Sequence, residues 1–210
     1  MKLYMVPLAP NPTKVMLYIA ERQRHGLDMG IEQIVVNTVK GRHREPEHLA
    51  RNPFGKLPVL ELEEGTFLLE SLAIIHYLEN RFPDGALLPR DPLTLAQALE
   101  IERIVELGAA INMGRYAHAT NSPLGRPADP EAAAEAEAGA QPALDYLEDQ
   151  LGDGREFLTG GVLSIADFTL QAACQFLRFV EADMFGDRPR LRQWDERVRT
   201  SQAGQAVLKW

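Results

Sequence analysis

Two short stretches of this chain could hold an extended peptide: Asn52-Pro53-Phe54-Gly55-Lys56-Leu57-Pro58-Val59-Leu60 and, a little later, Glu70-Ser71. Pro58 heads an apolar run that reads as a strand. Proline gives no donor to a β-ladder, so it is tolerated at the first strand position and not in the interior. A Leu-Pro bond there can be cis when tertiary structure enforces it. Leu57 then presents its own N–H and C=O sideways, where a stretched peptide can pair with them as one more strand. Glu70-Ser71 opens an apolar helix, and the free N–H groups of a helix N-terminus attract carboxylates. A backbone clamp and an anion seat thus lie close together in sequence. Each residue also has a plainer reading: Ser71 as a simple helix cap, Lys56 as a surface lysine.

The elements needed to position these stretches are legible in order. Residues 2–6 read as a short buried strand. Leu8-Ala9-Pro10-Asn11-Pro12 is a turn, with Asn11 a natural N-cap and Pro12 a natural first helical residue. The helix that follows carries Val15, Met16, Ile19 and Ala20 at helical spacing and stops near Gly26. Residues 31–36 form a second strand, and 40–51 are polar and irregular with one helical turn at Pro46-Glu47-His48-Leu49. Residues 59–62 and 66–69 are strands joined across Glu63-Glu64-Gly65, a hairpin signal. Residues 70–81 form a helix with Ile74, Ile75, Tyr77 and Leu78 inward. This makes an α/β unit over residues 1–82, a linker over 83–92 and a wholly helical unit over 93–210.

In the second unit, 93–120 is one long helical pattern loosened by Gly108 and Gly114. An Ala/Glu-rich helix over 131–151 contains Pro142, which predicts a kink or break there. Ser164-Ile165-Ala166-Asp167 is a capping box with Asp in the place of Glu, flanked by Leu163 and Phe168 as a hydrophobic staple. The helix it starts is apolar on most sides and so buried. A further helix runs from Pro189 and carries Trp194; the last ten residues are weakly patterned.

Composition narrows the functions. The chain has 210 residues, enough for a substantial core, and a net charge of −8 from 22 basic and 30 acidic residues. That balance, with no basic run, speaks against nucleic acid as a partner. No apolar run is long enough to span a bilayer, so no membrane partner is expected. The start of the chain lacks a signal-peptide pattern and Cys174 is the single cysteine, which together lead us to expect a cytoplasmic protein. The five histidines are scattered, so no metal site is expected. Cys174 sits in an apolar helix and reads as an inert core thiol.

The order of elements, with Asn52-Pro53-x-Gly55-Lys56-Leu57-Pro58, Glu70-Ser71-x-Ala73-Ile74 and Ser164-x-x-Asp167, resembles the cytosolic glutathione transferases across essentially the whole chain. The resemblance implies a thioredoxin-like N-terminal domain plus an all-α C-terminal domain, glutathione as co-substrate and, as is usual in the family, a homodimer with a role in detoxification. It implies that Leu57, before a cis Pro58, pairs with the cysteinyl unit of glutathione. Glu70 and Ser71 would hold the γ-glutamyl end, with Ser71 and the helix N-terminus taking its carboxylate. His43 and Lys56 fall where theta-like members reach the glycine carboxylate; His43 read alone is a solvated loop histidine. The turn Ala9-Pro10-Asn11-Pro12 is similar to that of the bacterial nu class and of a fungal prion-forming nitrogen regulator, which share the Pro-Asn pair. Nu-class members carry Thr before that pair, where this chain has Ala9.

In that turn Asn11 is the side chain able to donate a hydrogen bond to sulfur. The thiolate, not the thiol, is the nucleophile, and a helix N-terminus plus one donor amide would favour it. Asn11 as a plain cap requires no catalysis, and both roles can coexist. The partner molecule would be a small hydrophobic electrophile, or a disulfide or peroxide reduced at glutathione's expense. It would lie between the two units, with Arg115, Tyr116 and His118 as polar candidates on the helical side. A reading from another class is a transferase-like module that binds partners without catalysis.

Overall fold

The structure, a computed structural model, describes residues 1–209. Strands β1 (Lys2–Met5), β2 (Glu32–Val35), β3 (Val59–Glu61) and β4 (Phe67–Leu69) form one sheet in the order β2-β1-β3-β4. β1 and β2 are parallel, joined by helix α1 (Pro10–Arg24) as a crossover; β3 and β4 run antiparallel to their neighbours as a hairpin. α2 (Pro46–Arg51) is short, and α3 (Ser71–Arg81) follows β4 directly. Leu3, Val15, Leu17, Tyr18, Ile19, Leu60, Ile74, Ile75 and Leu78 bury the space between the sheet and α1 with α3. The sheet order and the two helices make the thioredoxin-like domain.

Among the described residues six α-helices follow: α4 (Pro92–Ile104), α5 (Ile111–Thr120), α6 (Pro130–Gln150), α7 (Ile165–Phe179), α8 (Pro189–Thr200) and α9 (Gln202–Val207). Their starts obey local chemistry. Asp91 and Asp129 stand before Pro92 and Pro130 and accept from the N–H of Thr94 and Ala132 at 2.9 and 3.0 Å. The capping box at Ser164 and Asp167 forms as the spacing predicts, and Leu163 and Phe168 are both buried.

The long 93–120 pattern is one continuous rod, with a π-helical segment over Val105–Ala110 between α4 and α5. Gly108 explains why it can bend around its neighbour. A Cβ there would lie 2.5 Å from the Cβ of Ala143, so only glycine lets α6 approach this closely. Sequence reasoning assigned Gly108 a loosening role; the structure assigns it a contact.

One helix start is corrected, the break considered at Pro142 is absent, and the weakly patterned end of the chain gains a helix. Asn11 is not the N-cap of α1: Ala9 is, with Pro10 as the first helical residue, so Asn11 lies inside the first turn. Proline suits the first turn wherever it stands there, and the Pro10-Asn11-Pro12 repeat does not by itself choose the register. α6 is unbroken at Pro142. The last ten residues contain α9, capped by the Ser201 hydroxyl accepting from Gly204 N–H at 3.0 Å. α9 packs on α1, a tertiary contact that offsets its weak pattern.

α1 is buried on two sides, by the sheet and by α7 and α9. Its second buried face is polar. Lys14 Nζ reaches Glu102 Oε1 at 3.3 Å and Glu106 Oε2 at 2.5 Å, while Thr13 Oγ1 accepts from Gln175 Nε2 at 3.3 Å. Thr169 Oγ1 donates to Glu102 Oε1 at 3.1 Å. These bonds tie α1 to the helical domain and fix the width of the gap between the two.

Candidate functional site

The loop before β3 is built around Asn52, which is 2 % exposed. Its Oδ1 accepts from Phe54 N–H at 3.0 Å and its Nδ2 donates to the Lys56 carbonyl, also at 3.0 Å. His48 Nε2 contacts the same carbonyl at 3.0 Å, and Gly55 N–H donates to the Asn52 carbonyl at 2.9 Å. Gly55 has φ +60, and a Cβ there would meet the His43 carbonyl at 3.0 Å. The glycine therefore lets the Gly41–Arg44 turn dock against this loop, which sets His43 beside Lys56. The Leu57-Pro58 bond that ends the loop is cis, as the sequence predicts. No intramolecular hydrogen bond to Leu57 N–H or C=O is found among the described residues. Leu57 is half-buried and Pro58 buried behind it.

Glu70-Ser71, read from the sequence as an anion seat, stand at the start of α3. Glu70, its N-cap residue, has φ +69 and ψ 122, a left-handed conformation rare for a side chain larger than glycine. Such backbone strain gathers at functional sites, where surrounding structure enforces it. Ile74 N–H closes the first turn on the Glu70 carbonyl at 2.9 Å, leaving the N–H groups of Ser71, Leu72 and Ala73 at the helix end. Ser71 is 6 % exposed, and its Oγ lies 3.4 Å from Asn11 Oδ1. The first turns of α1 and α3 therefore meet. In α1 that turn reads Pro10-Asn11-Pro12, so Asn11 supplies both a backbone N–H and a side-chain amide where its neighbours supply neither.

Next to this junction is a cavity of about 590 Å³ between the two domains, a volume suited to a small organic ligand. One wall is Val6, Pro7, Leu8, Ala9 and Pro10 with Lys56 and Leu57; another is Thr38, Val39, His43 and Arg44; the helical wall is His118, Leu124, Arg126, Phe176 and Phe179. Burial holds the His43 imidazole below its usual pKa, helped by the nearby charges of Arg44, His48 and Lys56. Burial likewise lowers that of His118, with Arg126 and Lys56 adding to it. Both shifts favour the neutral ring, and His118 Nδ1 is engaged with Ser122 Oγ at 2.9 Å.

The structure brings some of the sequence-derived candidates together and not others. His43, Lys56, Leu57 and His118 line the cavity; Asn11, Pro58, Glu70 and Ser71 are not part of that lining, Asn11 and Pro58 following the lining residues Pro10 and Leu57 in the chain. Arg115 and Tyr116 do not line it. Arg115 pairs with Glu135 at 3.5 Å on the outer side of α5 and α6, and Tyr116 packs on the core. Tyr116 is two residues from His118, about 200° round the helix. Arg126, Arg44 and the supporting Asn52 and His48 were missed. Asn52 had a signal in the Asn-Pro pair it heads; Arg126 sits in a loop without periodicity and had none.

Cys174 is buried, which pushes its thiol far above the usual range, in keeping with an inert core position. No group of His, Cys, Asp and Glu suited to a metal ion occurs among the described residues. No helix among them is long and apolar enough to cross a membrane.

Comparison with known proteins agrees with this geometry. Residues 3–86 match the family model described as glutathione S-transferase, N-terminal domain, and residues 130–197 the one described as glutathione S-transferase, C-terminal domain. Maleylacetoacetate isomerase of Pseudomonas aeruginosa is 39 % identical over 107 residues; the match spans 50 % of this chain and 48 % of that protein, so the likeness concerns about half of each. Glutathione S-transferase theta-1 of Bos taurus is 31 % identical over 202 residues, covering 92 % of this chain and 80 % of that one. A solved structure of a glutathione S-transferase domain-containing protein from Marinobacter aquaeolei superimposes with a TM-score of 0.85 at 30 % identity, covering 97 % of this chain and all of that one. With its thioredoxin-like domain, its helical domain and the clamp before β3, this chain belongs to the glutathione S-transferase family.

Proposed function

We propose that the protein is a glutathione transferase that activates the glutathione thiol and directs it at a hydrophobic electrophile in the interdomain cavity. The observation that carries this reading is the meeting of the first turns of α1 and α3, with Asn11 at 3.4 Å from Ser71, next to a cavity whose wall includes Pro10 and the unpaired backbone of Leu57. Glutathione laid along Leu57 has its γ-glutamyl carboxylate at Ser71 and its glycine end toward His43 and Lys56. Its sulfur then lies by the first turn of α1. Asn11 donates to the thiolate and does not remove the proton, which passes to water. The thiolate forms a carbon–sulfur bond to the electrophile, and the displaced group leaves with its electron pair. On this reading the enzyme is a cytoplasmic homodimer acting in detoxification.

A second reading is glutathione-dependent reduction of disulfides or peroxides. It is favoured by the Pro10-Asn11 pair, which is similar to that of the nu class, although Ala9 stands where that class has Thr and leaves the Asn11 amide as the donor. A non-catalytic binding module is the third. Retention on immobilised glutathione, followed by a panel of conjugation, mixed-disulfide and peroxide substrates, separates them. Absence of retention would favour the module.

Two results are expected of the site. Ser71→Ala should weaken glutathione binding by about 10- to 100-fold, the loss of one hydrogen bond to a charged group, with little change in melting temperature. Calorimetric affinity equal to that of the parent protein would remove Ser71 from the seat. Asn11→Ala should raise the pKa of the bound thiol by about one unit, worth ~1.4 kcal/mol of thiolate stabilisation. Ultraviolet titration of the enzyme-bound thiolate checks it, and a superimposable curve would take Asn11 out of the chemistry.

A further inference from the structure

Resting on the glutathione reading above, we propose that the electrophile is itself an anion: an apolar body bearing a carboxylate, received by Arg126 on the helical wall of the cavity. The chain is acidic, with 30 acidic against 22 basic residues. Yet the cavity lining contains Arg44, Lys56 and Arg126 and no Asp or Glu. Elsewhere the arginines are commonly neutralised: Arg22 by Glu79, Arg178 by Asp195, Arg188 by Asp145. Arg44, Lys56 and Arg126 have no ion pair among the described residues. A cleft lined by one sign of charge, with low-dielectric walls, concentrates ligands of the other sign.

Glutathione accounts for only one side of this charge. Its glycine carboxylate falls to His43 and Lys56, which share the thioredoxin-like wall with Arg44. Arg126 belongs to the loop between α5 and α6, on the opposite wall. Its neighbour His118 is no rival cation: burial and Arg126 itself favour the neutral ring, and its Nδ1 is occupied by Ser122. The same wall offers an apolar surface beside the charge. Phe176 meets the His118 ring edge-on at 5.3 Å between centroids, and Phe179 and Leu124 continue the face. A guanidinium at the rim of an aromatic wall fits a flat apolar group ending in a carboxylate, which it can bind through two parallel hydrogen bonds.

The test uses the full chain and two glutathione derivatives as probes, S-benzylglutathione and S-(4-carboxybenzyl)glutathione, measured by calorimetry. The proposal expects the carboxylate ligand to bind about tenfold tighter than its neutral counterpart, as one charge-assisted contact would give. In Arg126→Gln that advantage should vanish, while S-benzylglutathione binds as before. Arg126 is exposed in a loop, so the substitution leaves the fold intact, which a melting curve confirms. Equal affinity of the two probes for the parent protein, or an advantage that survives Arg126→Gln, overturns the proposal and leaves the glutathione reading standing. Failure of both probes to bind overturns the glutathione reading and this inference with it. A third arm uses oxidised glutathione. If Arg126→Gln weakens that ligand and spares the carboxybenzyl one, the anion is the carboxylate of a second glutathione and the proposal is overturned.

Discussion

Asp167→Ala is expected to lower stability by about 4 kcal/mol, because three fixed donors lose their acceptor in a dry site. The carboxylate is fully buried and sits at the junction of three segments. Its Oδ1 accepts from Leu158 N–H at 2.9 Å and Trp194 Nε1 at 2.7 Å; its Oδ2 accepts from Ser164 N–H at 2.8 Å and Ser164 Oγ at 2.7 Å. The serine hydroxyl can turn elsewhere. The two backbone N–H groups and the indole cannot, and each unsatisfied one costs about 1–3 kcal/mol. For a chain of this length the loss corresponds to a fall in melting temperature on the order of 10 °C. Scanning calorimetry reads it, and a shift of only a degree or two would show that these donors find water instead. The effect reaches the cavity, because α7 carries Phe176 and Phe179 in its last turn.

The second large effect is expected at Arg22. Its side chain is wholly buried, with Nη1 at 2.7 Å from Glu79 Oε1 and 2.8 Å from Tyr18 Oη, and Nη2 at 2.8 Å from the carbonyls of both Phe82 and Asp84. Glu79 in turn accepts from Leu87 and Leu88 N–H at 3.1 and 2.8 Å. The cluster holds the segment after α3 against the thioredoxin-like domain. Arg22→Met leaves Glu79 charged, buried and without its cation, which costs about 3–5 kcal/mol. The double variant Arg22→Met with Glu79→Gln should recover part of that, since the stranded charge is gone; the amide oxygen replaces one of the two carboxylate oxygens that accept from Leu87 and Leu88, so one of those N–H groups loses its acceptor. Chemical denaturation of the single and double variants forms the cycle. Additive losses would mean that the two side chains act independently. Trypsin cleavage after Arg81 or Arg90 should also quicken in the single variant, as residues 83–91 come loose.

The bonds between the domains bear on the cavity through geometry alone. The cavity has one wall on the thioredoxin-like domain and another on the helical domain, so its shape depends on bonds that hold the two in register. Lys14 with Glu102 and Glu106, and Thr13 with Gln175, do this from the buried side of α1. The first turn of the same helix carries Asn11. A shift of α1 would therefore move the Asn11 turn and the interdomain gap together.

Much of the clamp was legible because it depends on local backbone chemistry. A proline at the head of a strand, a glycine where φ must be positive, and Asp or Ser before a helix leave signatures within a few residues. Pro58 and the Ser164–Asp167 box are of this kind; Ser71, readable as a cap, is instead the first residue of α3 after the N-cap Glu70. Asn11 shows the limit of such reasoning. Ala, Pro and Asn in succession allow more than one helix start, and the contact with Ser71, sixty residues on, was not readable from the turn. α9 was illegible for a similar reason, its pattern being weak and its stability coming from α1.

By itself the sequence determined the order of the elements before α9, the cis-competent Leu57-Pro58 step, several helix starts such as the Ser164 cap, and the exclusion of disulfide chemistry within one chain, since these depend on periodicity, backbone freedom and residue counts. Only the tertiary structure decided that His118 and Arg126, not Arg115 and Tyr116, face the cavity, that Asn11 touches Ser71, and that Arg22 and Lys14 are buried with their acids. Those facts depend on how far helices rotate and how closely they dock, which is set by packing between segments distant in the chain.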